Sequence, residues 1–282
     1  MSLVTTPAVV LQTYRYSETS KVVRLATREL GVQSAIAKGA LRPKSRFGAG
    51  LELLSEGVAQ LYFRESRELH TLGAFDLVNL RRDLAADIAR FAGAAALAQV
   101  MLKMAPPASL PAAYDALIGA LDALEIASPE RADGTAVRAV WRLVAVLGFE
   151  PSLAACVRDG VAIEPAGDAP VAFSIAEGGA FCPRCAPPPP PPSGPQPSTR
   201  LPRQAYRDLL ALNDPGADLP VLDPHHAAAH RRLVARFVRY HLGEAGPLSA
   251  LDFWERRPWV APTPTPTPPP VRDPAPVPFA AS

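Results

Sequence analysis

Between Val9 and Leu77 the apolar residues recur at about every second position, in short segments separated by turn-forming stretches. That period puts alternate side chains on opposite faces of extended backbone, so it predicts five strands, at residues 9–16, 21–27, 32–38, 51–63 with a bend at Gly57, and 69–77. Five strands in roughly 70 residues can hardly bury two separate sheets. The economical solution is a small closed or nearly closed barrel, of which the OB-fold is the common five-stranded form.

From residue 83 the rhythm changes to helical spacing. Leu84, Ile88, Phe91, Leu97, Val100 and Leu102 form one amphipathic run that ends near Pro106, and residues 110–126, 137–147, 203–212 and 225–242 read as further helices. The fold class expected is therefore α+β and multidomain: an N-terminal five-stranded OB-fold barrel, then an all-helical domain with an inserted zinc-finger-like knuckle. The boundaries expected are 1–80 for the barrel, 81–150 and 200–257 for the helical domain, 151–199 for the cysteine knuckle with its Pro-rich insertion, and 258–282 for a disordered Pro-rich tail. Of the 282 residues 48% are hydrophobic and 20% charged, enough for a real core. Many of the 33 prolines sit in two tracts, 187–192 and 262–270, so the excess reports low complexity and not fold class. Residues 1–10 lack the basic start and apolar core of a secretory signal, and no apolar run is long enough to cross a membrane, so a cytoplasmic protein is expected.

Charge is unevenly placed. The first 50 residues carry eight cations against two anions, which leaves a net −4 on the other 232. A polyanion-binding face has this asymmetry, because every phosphate neutralised releases counterions; a solvated barrel surface is the bland alternative. The densest cluster is Lys38, Arg42, Lys44 and Arg46, spread along a Gly- and Pro-punctuated connection between two strands, with Lys21 and Arg24 as weaker candidates. Cations on such a connection can track the phosphates of a single strand. Tyr14, Tyr16, Phe47, Tyr62 and Phe63 supply rings of the kind on which bases stack, although core packing competes for each. Phe47, next to the basic run, is the ring expected to be least committed to the core.

These residues resemble a family signature. Tyr16-Ser17-Glu18-Thr19-Ser20-Lys21-Val22-Val23 is similar to a segment near the start of RecO proteins, and Lys38-Gly39-Ala40 with Arg42-Pro43-Lys44-Ser45-Arg46-Phe47-Gly48 is similar to their basic loop. Asp83-Leu84, Leu147-Gly148-Phe149 and Tyr240-His241-Leu242-Gly243 fall where that family has comparable segments, so the resemblance spans residues 3–254. It implies an OB-fold domain, a helical domain and, in many members, a zinc-binding insertion. It also implies a nucleoid-associated mediator of DNA repair and recombination that binds single- and double-stranded DNA, anneals complementary strands and cooperates with RecR to load recombinase on strands coated by single-strand-binding protein. The expected DNA contacts fall on Lys38, Arg42, Lys44 and Arg46.

Cys182-Pro183-Arg184-Cys185 is a C-x-x-C knuckle whose two thiolates can reach one tetrahedral metal. Cys156 supplies a third ligand. Where zinc-binding relatives would place a fourth cysteine, three residues on, this chain has Asp159. Zinc on Cys156, Asp159, Cys182 and Cys185 and a decayed site that keeps only the folded knuckle both remain open. A redox dithiol should begin a helix, and here the pair precedes a proline run. His225, His226 and His230 lack the following glutamate of a metalloprotease helix and are read as helix-start residues. Arg231, Arg232, Arg236 and Arg239 form either a second basic surface or a solvated helix face.

No P-loop, dinucleotide fingerprint, nucleophile elbow or supported carboxylate pair occurs in the sequence, so catalysis is not expected and any annealing must run on binding energy. A DNA-binding annealing mediator is the leading expectation. Its rivals are an adaptor whose barrel binds protein, with RecR or the tail of single-strand-binding protein as ligand, and a zinc hydrolase.

Overall fold

The structure, a computed structural model, describes residues 2–164, 167–188, 198–243 and 246–260. Five strands, β1 (Ser2–Arg15), β2 (Lys21–Thr27), β3 (Gly31–Ala37), β4 (Glu56–Phe63) and β5 (Leu69–Asn79), pair in the circuit β1-β2-β3-β5-β4 and back to β1, closing a barrel. The one parallel contact is β3 with β5. Strand β1 makes closure possible by serving two neighbours: Ser2 to Val9 pair with β4, and Ala8 to Arg15 pair with β2. Alternation sorts its side chains. Ala8, Val10, Val23, Leu25, Ala35, Ala59, Leu61 and Leu72 fill the barrel, while Val9, Leu11, Ala26 and Val32 point outward into a second core shared with the helices.

The strands keep within two residues of the sequence expectation except at the starts of β1 and β4. Strand β1 begins at Ser2, because Thr5, Thr6 and Pro7 pair with β4 without giving an apolar period. Residues 51–55 are not part of β4: Leu54 takes a left-handed φ of 69°, and Leu51 and Leu54 are buried loop side chains. The bend foreseen at Gly57 is a register shift, at a place where a Cβ would lie 2.6 Å from the Asp76 carbonyl oxygen.

The helical part contains α1 (Arg82–Ala85), α2 (Ile88–Met104), α3 (Pro111–Ile126), α4 (Pro129–Val144), α5 (Arg203–Asn213), α6 (Pro224–Leu242) and α7 (Ser249–Arg256). The run expected from Asp83 onward is broken in two at Asp87, whose carboxylate accepts the Arg90 backbone N–H at 2.9 Å and so starts α2. Helix α2 is the central one. Half of its buried residues are alanine, and Gly93 lets α4 approach until a Cβ there would stand 2.9 Å from that of Ala136. Helix α4 begins eight residues earlier than its apolar run, because its first half is polar and small, with Gly134 against Leu219. A π-turn, Ala145–Phe149, ends it at Gly148, with φ 95°. Helix α7 was not anticipated; Leu251 and Trp254 bury it.

The insertion holds a small sheet, β7-β6-β8, of β6 (Val171–Ser174), β7 (Gly179–Phe181) and β8 (Thr199–Leu201). Phe173 and Phe181 join the helical core, so the insertion packs as part of its host. The second proline tract and the tail expected to be disordered lie outside the described residues, apart from residues 258–260.

Two contacts fix the barrel against the helices. At Gly31, where φ is +70°, a Cβ would sit 2.2 Å from the Ala108 carbonyl oxygen, so β3 starts pressed onto the α2–α3 connection. Arg81, also left-handed at φ 50°, has a side chain only 1% exposed and bonds Glu56 at 2.6 Å, Asp122 at 2.7 Å and Glu125 at 3.1 Å. Burial opposes its charge, but hydrogen bonds and attraction from Asp122 and Glu56 outweigh that and raise its pKa. Arg81→Ala would leave the three carboxylates facing one another without a cation. It is expected to cost about 3 kcal/mol in urea unfolding, whereas Arg82→Ala on the exposed neighbour should cost less than about 0.5 kcal/mol.

Candidate nucleic-acid interface and metal centre

The β3–β4 connection is a chain of tight turns. Arg42 N–H donates to Gly39 C=O at 3.1 Å, Ser45 N–H to Arg42 C=O at 3.0 Å, and Gly50 N–H to Phe47 C=O at 2.9 Å. Gly39, at φ 76°, supplies the left-handed turn that starts it. Two of its apolar side chains, Phe47 and Leu51, are 4% and 2% exposed and plug the barrel. The expectation that Phe47 is the ring least committed to the core is therefore corrected. Its Cβ direction is fixed by the turn in which Ser45 Oγ accepts the Phe47 N–H, and the ring is part of the barrel interior.

With the loop so anchored, Lys38, Arg42, Lys44 and Arg46 stand exposed. Among the described residues none of the four is in an ion pair. The guanidinium of Arg46 lies 5.1 Å from the Phe47 ring centroid, which fixes its direction without neutralising it. The weaker candidates are more committed. Lys21 bonds Glu52 at 3.1 Å, and Arg24 is half-buried in a groove of about 550 Å³ with Ser34, Glu65, Arg67 and His70. The hairpin turn between β1 and β2 joins this surface, because the Leu41 N–H donates to the Thr19 carbonyl at 3.0 Å. Of the candidate rings, Tyr14, Tyr16 and Tyr62 are 49%, 59% and 40% exposed, while Phe63 rests against His70 with centroids 4.5 Å apart.

On α6 the four arginines do not form one basic face. Arg231 is buried on Asp133 at 2.9 Å, and Arg239 bonds Asp252 at 2.6 Å and Glu255. Only Arg232 and Arg236 remain exposed, because partners distant in sequence, on α4 and α7, absorb the others. Tyr240, at helical spacing from the buried Leu233 and Phe237, is 55% exposed and not in the core.

The cysteines converge. One ligating atom from each of Cys156, Asp159, Cys182 and Cys185 lies within 4.8 Å of all the others. Two knuckle turns bring them there: Gly160 N–H donates to Cys156 C=O at 2.9 Å, and Ala186 N–H to Cys182 C=O at 3.0 Å. Asp159 Oδ2 is 3.5 Å from the Cys182 sulfur and 3.2 Å from that of Cys185, and Arg184 Nη2 is 3.2 Å from the same carboxylate. A tetrahedral ion with metal–sulfur bonds of about 2.3 Å holds its ligands about 3.8 Å apart, so the four donors fit a metal ion. Hydrogen bonds from Cys156, Cys185 and the Val161 N–H hold the Asp159 carboxyl down to about 2. The same carboxylate beside it, with burial, pushes the Cys185 thiol up to about 12. Burial alone would raise Cys156 as well, but backbone N–H groups of Cys182, Asp159 and Arg158 outweigh it and lower the thiol. Backbone donors aimed at a sulfur favour its thiolate, the form in which it binds metal.

The histidines stay apart from this cluster. The carboxylate of Asp223 starts α6 by accepting the His225 and His226 N–H groups, both at 2.9 Å, and its other oxygen meets the His226 ring at 2.6 Å. Residue His230 is buried between α5 and α6, 3.9 Å from Asp208. What sequence reasoning missed here is the tie between the hairpin turn and the basic loop. Backbone hydrogen bonds between loops leave no trace in residue type.

Phe47→Ala should cost about 3 kcal/mol of stability by urea unfolding if the ring is the plug described. A cost under about 0.5 kcal/mol would instead mean that it lies at the surface.

Comparison with known proteins adds a second line of observation. Residues 1–81 match the family model for the recombination protein O N terminal, and residues 85–250 that for the recombination protein O C terminal. A DNA repair protein RecO of an Anaeromyxobacter strain is 34% identical over 252 residues, covering 86% of this chain and 93% of that one. The DNA repair protein RecO of Symbiobacterium thermophilum is 35% identical over 188 residues, 66% and 72% of the two chains. That of Bifidobacterium longum is 35% identical over 192 residues, 64% and 74%.

Proposed function

The chain belongs to the recombination protein O family of DNA repair proteins, and from that premise we propose a mediator that binds single- and double-stranded DNA through the basic loop of an OB-fold barrel. The observation that carries the proposal is the division of labour in residues 38–51. Phe47 and Leu51 are spent on the core, so that Lys38, Arg42, Lys44 and Arg46 are held out with no ion-pair partner among the described residues. A protein spends little on keeping four like charges together at its surface unless an anion completes them. Lys21 and Arg24 flank this surface and contribute less, because Glu52 and the groove wall already engage them.

In this reading the protein is not an enzyme. It brings complementary strands together by lowering the repulsion between their backbones, and works with RecR and the tail of single-strand-binding protein in loading recombinase, in the cytoplasm at the nucleoid. No helix among the described residues is long and apolar enough to cross a membrane. Cys156, Asp159, Cys182 and Cys185 hold zinc, which supplies a structural cross-link between the two knuckle turns and no chemistry.

Lys44→Ala with Arg46→Ala should reduce the slope of log affinity against log salt by about 1.4 for a single strand and about 1.8 for a duplex, measured by fluorescence anisotropy. An unchanged slope would show that the loop does not meet phosphates, and favour the adaptor with a protein ligand. For the knuckle, metal-stripped protein should take up zinc in a one-to-one ratio by elemental analysis. Cys182→Ser should abolish uptake, and undiminished uptake in that variant would remove zinc from this cluster.

A further inference from the structure

The cations of the basic loop give no reason to prefer an unpaired strand to a duplex, since both offer phosphates. A second feature lies beside them. Tyr14 and Tyr16 occupy alternate positions at the end of β1 and the start of the hairpin turn, where the Tyr16 N–H donates to the Ser20 carbonyl at 2.9 Å. Alternate positions on extended backbone share a face and lie about 7 Å apart along it. Both rings are about half exposed or more, at 49% and 59%, which is a costly way to place two aromatic side chains. The turn that carries them is bonded to the basic loop through Thr19 and Leu41, and Arg15 is exposed between them.

We infer that Tyr14 and Tyr16 are a base-stacking platform that works with the basic loop and sets the preference of this protein for unpaired over paired DNA. This rests on the DNA-binding reading above and adds to it the source of strand selectivity. A ring at the surface can be covered by a base only if that base is free of its own stack, so a duplex gains nothing from it. A single strand gains both ring contacts and the phosphate contacts of Lys38, Arg42, Lys44 and Arg46 on the same surface. The charge around the platform suits a polyanion: the acidic groups nearest in sequence are Glu18, exposed on the turn, and Glu29, bonded by the Thr6 hydroxyl, while Glu52 beyond the basic loop is held by Lys21.

The other rings do not compete for this role. Phe47 is inside the barrel, and Phe63 is occupied by His70. Tyr62 sits at the opposite end of β1, paired with Leu3, and its ring fills the space above Gly73, where a Cβ would be 2.9 Å from Tyr62 Cε2.

The test uses the full chain, an oligothymidylate and a duplex of equal length, with affinities read by fluorescence anisotropy at fixed salt. The double variant Tyr14→Ala, Tyr16→Ala should lose about thirtyfold or more in affinity for the single strand and less than about twofold for the duplex, with its salt slope unchanged. Tyr14→Phe with Tyr16→Phe should retain single-strand binding. Tyr14→Leu with Tyr16→Leu, which keeps the apolar cover but not the π-face, should behave as the alanine variant, and thermal melting checks that all remain folded. Equal losses on both ligands, no loss on either, or rescue by leucine as complete as by phenylalanine would each overturn the platform while leaving DNA binding intact. Wild-type protein that binds neither ligand would overturn the DNA-binding reading itself, and the platform with it.

Discussion

Arg81 carries a full charge into the seam where the chain leaves the barrel and enters the helices, and only the carboxylates of Glu56, Asp122 and Glu125 make that tolerable. One carboxylate comes from β4 and two from α3, so the ion cluster is satisfied only when barrel and helices are docked in one arrangement. Around it the outward residues of the barrel, Val9, Leu11, Ala26 and Val32, enter the same apolar body as α2 and α4. The apolar contact supplies adhesion, and the charged contact supplies geometry, since a buried cation cannot slide past its partners without losing them.

The loops that carry the candidate interface have anchors of their own. The β3–β4 connection can be long and polar because Phe47 and Leu51 tie it down from inside, and the hairpin turn can carry exposed rings because it is tied to that connection in turn. Only the last part of the connection meets the helices, where Leu54 enters the core shared with them. The candidate interface is thus built wholly from the first 55 residues, in the part of the chain where cations outnumber anions.

Much of this was legible in advance, for identifiable reasons. The barrel follows from period-two alternation, which persists wherever one face of a strand is wet, and β2 matches residue for residue. The convergence of Cys156, Asp159, Cys182 and Cys185 was legible from the C-x-x-C spacing together with the family resemblance, which places the fourth candidate three residues after Cys156. What escaped reading depends on contacts between residues far apart. Phe47 looked free because its neighbours are cations, yet one side chain in a basic run can point inward without altering the pattern. Arg231 and Arg239 looked like part of a surface because Asp133, Asp252 and Glu255 are distant in sequence. The strands of the insertion are three and four residues long, too short for a period to register. Arg81 gave no signal, because an arginine after a strand is ordinarily at the surface.

The insertion's small sheet has a consequence for how the molecule comes apart. Phe173 lies 6.4 Å from Phe237 of α6, and Tyr206 of α5 donates its hydroxyl to the Leu153 carbonyl at 2.6 Å, so aromatic rings and a buried hydrogen bond cross from lobe to host. A lobe stitched in this way has no private melting transition. Heat, denaturant or oxidation of its thiols should be felt by α5 and α6 at the same moment, and amide protons on both sides of that boundary should exchange with solvent in a single cooperative opening.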